Sequence, residues 1–336
     1  MVCLTALLLL TLLAGPARAA GESGLSAWIA DWDMERGLRE WRAHPGLFGS
    51  VRVFSAAFTE RGGVELAPAW ASLLGRDVST VFGRVPVLLT VVNDVVSASG
   101  KNNKLKDPGI VAQNVATAEA RSRHIAALLA LAERSRFTGL EIDYENVAED
   151  VWPQFLTFIR ELWAKTQERG LTLAVVLQPQ RRYLTMPLPS GPSYVLMGYN
   201  LFGSHSGPGP KATPAFLADQ AASLRAIGAL DATSLALATG GFDWIGDKSA
   251  NQLDETAAAD LIAAQKASSR RSEPDGYLVS RYRDAAGHNH EIWHADAVTF
   301  SRLWQSARTS GFRSLIVWRL GGNSPALFTW LATLHP

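Results

Sequence analysis

The sequence predicts a (β/α)8 barrel of the α/β class, with a small α+β insertion between its seventh and eighth strands. Three observations predict it. Short β-branched or apolar runs alternate with longer amphipathic ones, as in a parallel sheet with covering helices. The short runs number eight, the count that closes a barrel. The connection between the last two, from Phe242 to Ser314, is about 70 residues long, well above an ordinary crossover.

The elements follow in order. The first strand, Leu25–Ala30, runs into Asp31-Trp32-Asp33 and a helical pattern at Glu35–Arg42. The second, Ser50–Ala56, precedes a helix opened by a proline, Pro68–Leu74, and the third, Val85–Val91, precedes one long amphipathic stretch, Val111–Glu133. The fourth, Leu140–Asp143, leads to the helix Val151–Glu168; the fifth and sixth are Leu171–Leu177 and Tyr194–Met197, and Pro214–Ile227 is the next helix. After the seventh strand, Leu235–Ala238, come a helical pattern at Glu255–Lys266 and a hairpin. In it, Tyr277–Arg283 returns as Glu291–Trp293 through Asp284-Ala285-Ala286-Gly287. The helix Ala297–Thr309 and the eighth strand, Ser314–Val317, complete the set, with Gly or Pro at many joints. No linker, repeat or long charge run divides residues 20–336, which read as one barrel with a rim insertion at about 245–295.

The chain opens with an apolar run, Leu4 to Ala14, too short to span a bilayer and followed by Ala17-Arg18-Ala19, the small-residue form of a signal peptidase site. Residues 1–19 read as a cleaved export signal, which places the protein in a periplasm or the medium. Cys3, the single cysteine, falls inside that signal, so the processed chain has no disulfide, no thiol chemistry and no cysteine-borne lipid anchor. Formal net charge is +1 with acids and bases interspersed, which argues against nucleic acid and against a polybasic membrane patch. A neutral ligand suits it better. No His pair stands at i, i+4 on a helix, so no metal site and no cofactor is expected, and the protein is expected to be a monomer. His288-Asn289-His290 has the look of a nuclease tripeptide but follows a glycine turn without basic surroundings.

Residues 137–145 carry the chemistry. Laid out as a strand, they put Glu141, Asp143 and Glu145 on one face and Leu140, Ile142 and Tyr144 on the other. Crowding carboxyl groups in a partly dehydrated place raises the pKa of at least one, and a carboxylic acid protonated near neutral pH is what a general acid needs. Barrels of this type place reactive groups at the C-terminal ends of their strands. Those ends supply Asp31-Trp32-Asp33, Asn93-Asp94, Asp143 with Glu145, Gln178-Pro179-Gln180, Tyr199-Asn200, Asp243-Trp244 and Trp318-Arg319. Taken singly, Asp33, Asn93 and Asp94 read as loop residues or helix caps. Indoles gathered at such a rim suit stacking on sugar faces as well as burial.

With those acids at the end of the fourth strand, the sequence resembles the family 18 glycoside hydrolases, whose signature there is Asp-x-x-Asp-x-Asp-x-Glu. Here it reads Thr138-Gly139-Leu140-Glu141-Ile142-Asp143-Tyr144-Glu145: the last two acids match, and Thr and Glu stand for the first two. Met197-Gly198-Tyr199-Asn200, Phe242-Asp243-Trp244 and Val317-Trp318-Arg319-Leu320-Gly321-Gly322 look like further motifs of the family, in order. The bacterial spore-germination and cortex-lytic type is matched best: Glu291-Ile292-Trp293-His294-Ala295-Asp296-Ala297 and Gly207-Pro208-Gly209-Pro210 look like its runs. The Ser-x-Gly-Gly strand of true chitinases is missing, with Thr90-Val91-Val92-Asn93 in its place.

The resemblance implies hydrolysis of a β-linked N-acetylglucosamine polymer, peptidoglycan or chitin-like, in which the sugar's acetamido group is the nucleophile. Carried over, Glu145 is the proton donor, Asp143 its protonated neighbour, Tyr199 the partner of the acetamido carbonyl and Trp318 the floor under the sugar. Asn200, Glu141, Asp243, Trp244, Gln178 and Trp293 are implied substrate contacts. Glu141 either fills the inner acid's place or disturbs it, and Trp293 either meets substrate or belongs to the insertion's core. The alternative is a non-catalytic, chitinase-like carbohydrate-binding barrel.

Overall fold

The computed structural model describes residues 24–97, 103–179, 187–246 and 249–334. Residues 1–19, read as an export signal, lie outside them. The strands are β1 (Leu25–Ala30), β2 (Ser50–Thr59), β3 (Val64–Leu66), β4 (Val87–Val96), β5 (Gly139–Asp143), β6 (Thr172–Leu177), β7 (Ser193–Met197), β8 (Thr233–Ala238), β9 (Gly240–Ile245), β10 (Ser249–Leu253), β11 (Ser269–Arg271), β12 (Leu278–Arg283), β13 (Asn289–Ala295) and β14 (Leu315–Leu320). The helices are α1 (Met34–Ala43), α2 (Pro68–Leu74), α3 (Ser79–Phe82), α4 (Pro108–Val115), α5 (Ala118–Arg134), α6 (Trp152–Gln167), α7 (Pro214–Ala226), α8 (Glu255–Ala264), α9 (Ala297–Thr309) and α10 (Pro325–Ala332).

Eight parallel strands run β1-β2-β4-β5-β6-β7-β8-β14, and β14 pairs with β1 to close the barrel. All eight expected strands are present. Strand alternation divides the apolar residues into two cores. Leu140, Ile142 and Tyr144 of the β5 segment join the large core between sheet and helices, while Trp28, Phe54, Val92, Met197, Tyr199 and Ile316 fill the barrel interior. Glu141 and Asp143, at the intervening positions of β5, are buried as well, at 0% and 4% exposure.

Several elements depart from the sequence expectation, and two of the departures lie beside the site. The stretch Val111–Glu133 is two helices, because Pro108 opens α4 behind an Asp107 cap and the Thr117 hydroxyl accepts from Ala120 N to start α5 afresh. The third barrel strand, expected to stop at Val91, continues as β4 to Val96, so Asn93 and Asp94 lie within a strand.

Between β8 and β14 lies an antiparallel sheet ordered β10-β9-β13-β12-β11, with α8 against β9 and β13. The expected hairpin is β12–β13, paired from Leu278↔His294 to Arg283↔Asn289. Gly240 and Gly241 let β9 enter this sheet. Gly240 has φ +63°, and a Cβ on Gly241 would lie 1.8 Å from the Trp293 carbonyl oxygen, so no larger residue fits.

Candidate active site

The C-terminal ends of the barrel strands open into a cleft of about 1550 Å3, walled in part by Trp32, Phe54, Lys106, Asp143, Glu145, Gln178, Tyr199, Asn200, Lys211, Phe242 and Trp318. Beneath it, the barrel interior holds a buried ion pair. Arg52 Nε donates to Glu141 Oε2 at 2.6 Å, and the other oxygen, Oε1, accepts from Trp28 Nε1 at 2.6 Å and Thr90 Oγ1 at 2.7 Å. Arg52 also donates to Ser26 and Ser50. Burial raises the Glu141 pKa, with Arg52 and the Thr90 and Trp28 donors acting the other way. Glu141 is thus a plug one layer below the cleft. It does not line it, and the contact with substrate implied for it is not found.

Asp143 stands one strand step higher. Its Oδ1 is buried with no partner among the described residues, and Oδ2 lies 3.4 Å from Lys106 Nζ. Burial pushes its pKa up to about 7 against the pull of Lys106, with the charges of Glu145 and Glu141 adding to the rise. The acid is poised to carry a proton near neutrality, as the crowded carboxyls of the sequence predict.

Glu145 lies just past β5. Its backbone is clamped by Asn93, which accepts from Glu145 N at 2.9 Å and donates to Glu145 O at 2.9 Å. Gln178 Nε2 donates to Glu145 Oε2 at 2.9 Å, and Lys106 Nζ lies 2.9 Å from Oε1. Asn146 then turns the chain with φ 57°, a left-handed value that Asn tolerates better than most residues. Lys106 is itself left-handed, φ 52°, and Asp94 holds its backbone N–H at 2.8 Å. Surrounding carboxylates hold the Lys106 ammonium well above its usual pKa despite burial.

One side of the cleft is aromatic. Tyr199 and Trp318 stack with centroids 5.8 Å apart and planes 10° apart, and Trp28 and Phe54 meet the Trp318 ring edge-on. The Tyr199 hydroxyl has its pKa raised well above 10 by burial and the nearby acids, so it stays a donor. Asn200 sits beside it, its Nδ2 3.7 Å from Met197 Sδ. Trp32, at the rim, is 61% exposed.

Six of the ten residues expected at the site therefore converge: Glu145, Asp143, Tyr199, Asn200, Gln178 and Trp318. Four do not. Besides Glu141, Asp243 is turned into the insertion sheet, where His290 Nδ1 lies 2.8 Å from its Oδ2. Trp244 lies behind Phe242 and donates to Ser206 O at 3.0 Å. Trp293 is partly buried against the large core, its Nε1 donating to Glu291 at 2.7 Å. Alternation along β9 puts Phe242 and Trp244 on one face and Asp243 on the other, and the nearer of the two aromatics, Phe242, takes the cleft.

Lys106 escaped sequence reasoning altogether, because its loop position carries no pattern. Asn93 and Asp94, which read singly as loop or cap residues, anchor Glu145 and Lys106; Asp33 stands at the N-cap position of α1, but its side chain makes no cap hydrogen bond and pairs with Arg319 at 2.6 Å. Among the described residues, no group of three His, Cys, Asp or Glu could hold a metal ion.

No protein-family model matches the chain. Its fold is a (β/α)8 barrel, and the solved structures it is similar to include chitinases. By sequence it is 25% identical over 263 residues to YdhD of Bacillus subtilis, by name a sporulation-specific glycosylase; the match covers 70% of this chain and 58% of that protein's length. By structure it is similar to a chitinase from Chromobacterium violaceum, with TM-score 0.76, 22% identity and coverage of 92% of this chain and 98% of the other. It is also similar to the spore cortex-lytic enzyme SleL of Bacillus cereus, with TM-score 0.78, 18% identity and coverage of 93% and 74%. These likenesses bear out the resemblance to family 18 glycoside hydrolases and the barrel fold expected from it.

Proposed function

We propose that the protein is an exported glycoside hydrolase that cleaves a β-linked N-acetylglucosamine-containing polymer, peptidoglycan or chitin-like, with acetamido assistance and retention of configuration. The observation that carries the reading is the placement of Asp143 and Glu145 side by side on the floor of an open, indole-lined cleft. The names of its relatives, a glycosylase, a chitinase and a cortex-lytic enzyme, support the same chemistry.

In this reaction Glu145 gives its proton to the leaving glycosidic oxygen while the acetamido oxygen bonds to the anomeric carbon, forming an oxazolinium ion. Glu145, now a carboxylate, takes a proton from water as that water opens the ion on the same face. Asp143 faces the acetamido N–H and Tyr199 its oxygen, with Trp318 beneath the ring. Lys106 must leave Glu145 Oε1 for that oxygen to reach the glycosidic oxygen.

The test is release of reducing ends from N-acetylated glycans by the processed chain. General acid catalysis is worth about 10²–10⁴ in rate, so Glu145→Gln is expected to remove turnover while leaving sugar binding. The Lys106 contact to Glu145 favours one second reading, a carbohydrate-binding barrel whose acid is held silent. Binding without turnover at any pH selects it.

A further inference from the structure

Lys211 differs from the other buried or half-buried cations around the cleft; Arg61, which also lines it, is exposed. It follows the Gly207-Pro208-Gly209-Pro210 turn, lines the cleft wall and is 5% exposed. Its Nζ donates one hydrogen bond, to Thr239 O at 3.1 Å, and lies 5.8 Å from the centre of the Phe242 ring. An ammonium has three donors to satisfy. Lys106 answers to Asp94, Asp143 and Glu145, Arg52 to Glu141, and Arg319 to Asp33. No carboxylate among the described residues pairs with Lys211, and the charge that acts on it is the Arg319 guanidinium, of the same sign. Its pKa is pushed down to about 7 by burial in consequence.

The position is built. Lys211 O accepts from Leu201 N at 3.0 Å, and Ala212 N donates to the Tyr277 hydroxyl at 3.1 Å, so this backbone is pinned between the loop after β7 and the insertion. Thr239, whose carbonyl takes the ammonium, is tied through its hydroxyl to Asn323 at 2.6 Å. A cation taken out of water without a counter-ion is costly to hold. An anion arriving with the ligand would remove that cost.

We propose that Lys211 recognises a carboxylate on the bound glycan, so that the cleft takes a chain containing an N-acetylated sugar with an acidic substituent, of the lactyl-ether kind, rather than N-acetylglucosamine alone. The inference rests on the glycosidase reading and narrows its substrate. A lactyl arm reaches sideways from the sugar ring, toward a wall, while the ring itself lies on the indole floor.

The test uses the full chain with Glu145→Gln, titrated with three oligosaccharides of equal length: one bearing lactyl carboxylates, the same with those groups reduced to alcohols, and an N-acetylglucosamine oligomer. The acid form is expected to bind at least tenfold tighter than either neutral form. Adding Lys211→Met is expected to abolish that preference while the neutral affinities stay within twofold, and Lys211→Arg to retain most of it. Equal affinities for acid and reduced forms, or no binding of any of them, overturn the proposal. So does a Lys211→Met variant that weakens all three alike, the mark of a structural role. If Lys211→Met fails to fold, the comparison of acid with reduced glycan decides alone. Turnover with Glu145 intact is read separately: preference without turnover removes the hydrolase reading and keeps Lys211, and turnover without preference does the reverse.

Discussion

The Lys106 ammonium lies 2.9 Å from Glu145 Oε1, a cation seated directly on the expected proton donor. It also reaches Asp143 at 3.4 Å, where its charge opposes the rise that burial gives the Asp143 pKa.

Removing that cation should therefore raise the pH at which Asp143 gives up its proton. For Lys106→Met, the alkaline limb of the pH–rate profile is expected to move upward by about one unit or more, the size of effect an adjacent opposite charge exerts. The profile of kcat/KM against pH, taken alongside wild type, checks it. A limb that stays in place would mean that Lys106 leaves the acids as soon as substrate enters.

Asp143 links activity to stability with a definite sign. Its folded pKa, about 7, lies above the 3.8 of an unperturbed aspartate, so the native state holds the proton more tightly than the unfolded chain. The associated stability is fully present below the unfolded pKa and is lost as pH rises through about 7, by at most about 4 kcal/mol. Asp143→Asn cannot ionise. It is expected to melt at a higher temperature than wild type at pH 8, to show little difference at pH 5, and to lose turnover at both. Thermal unfolding at the two pH values measures the first part.

Much of this architecture was readable because it rests on local rules. The eight strands announce themselves as apolar runs, and the alternation at 140–145 separates core from carboxyls without any knowledge of partners. What the sequence hides is which distant residue completes a pair. Arg52, 89 positions before Glu141, turns that acid from a ligand contact into a plug. Thr138, standing where the family signature has an acid, bonds Val87 N at 2.8 Å at the start of β5, at the opposite end of the barrel from the cleft. Register between β9 and β13 buries Asp243 and Trp293 against each other's strands, and no one-dimensional pattern specifies that register.

The Arg52–Glu141 pair makes a stability prediction of its own. Removing one partner of a buried ion pair leaves a charge uncompensated, at a cost of about 3–5 kcal/mol. Arg52→Met is expected to fall in that range by urea unfolding, and Arg52→Met with Glu141→Gln to recover a large part of the loss, because no net charge is then left in the barrel. If the double variant is as unstable as the sum of the singles, the residues contribute through packing rather than through their pairing.

Trp32 tests the extent of the cleft. It is 61% exposed, yet it meets Phe54 edge-on at 5.4 Å and takes the Arg319 guanidinium at 5.7 Å from its ring centre, so its indole is held in place while one face stays open. An exposed, fixed aromatic at a rim adds binding for a ligand long enough to reach it and adds little to folding. Trp32→Ala is expected to weaken binding of long oligosaccharides about tenfold, the cost of losing a binding hot spot. Disaccharide binding and the melting temperature should stay nearly unchanged. Titrating the two ligand lengths against both proteins separates an extended groove from a single-sugar pocket, because equal losses for short and long ligands would place Trp32 beside the reacting sugar itself.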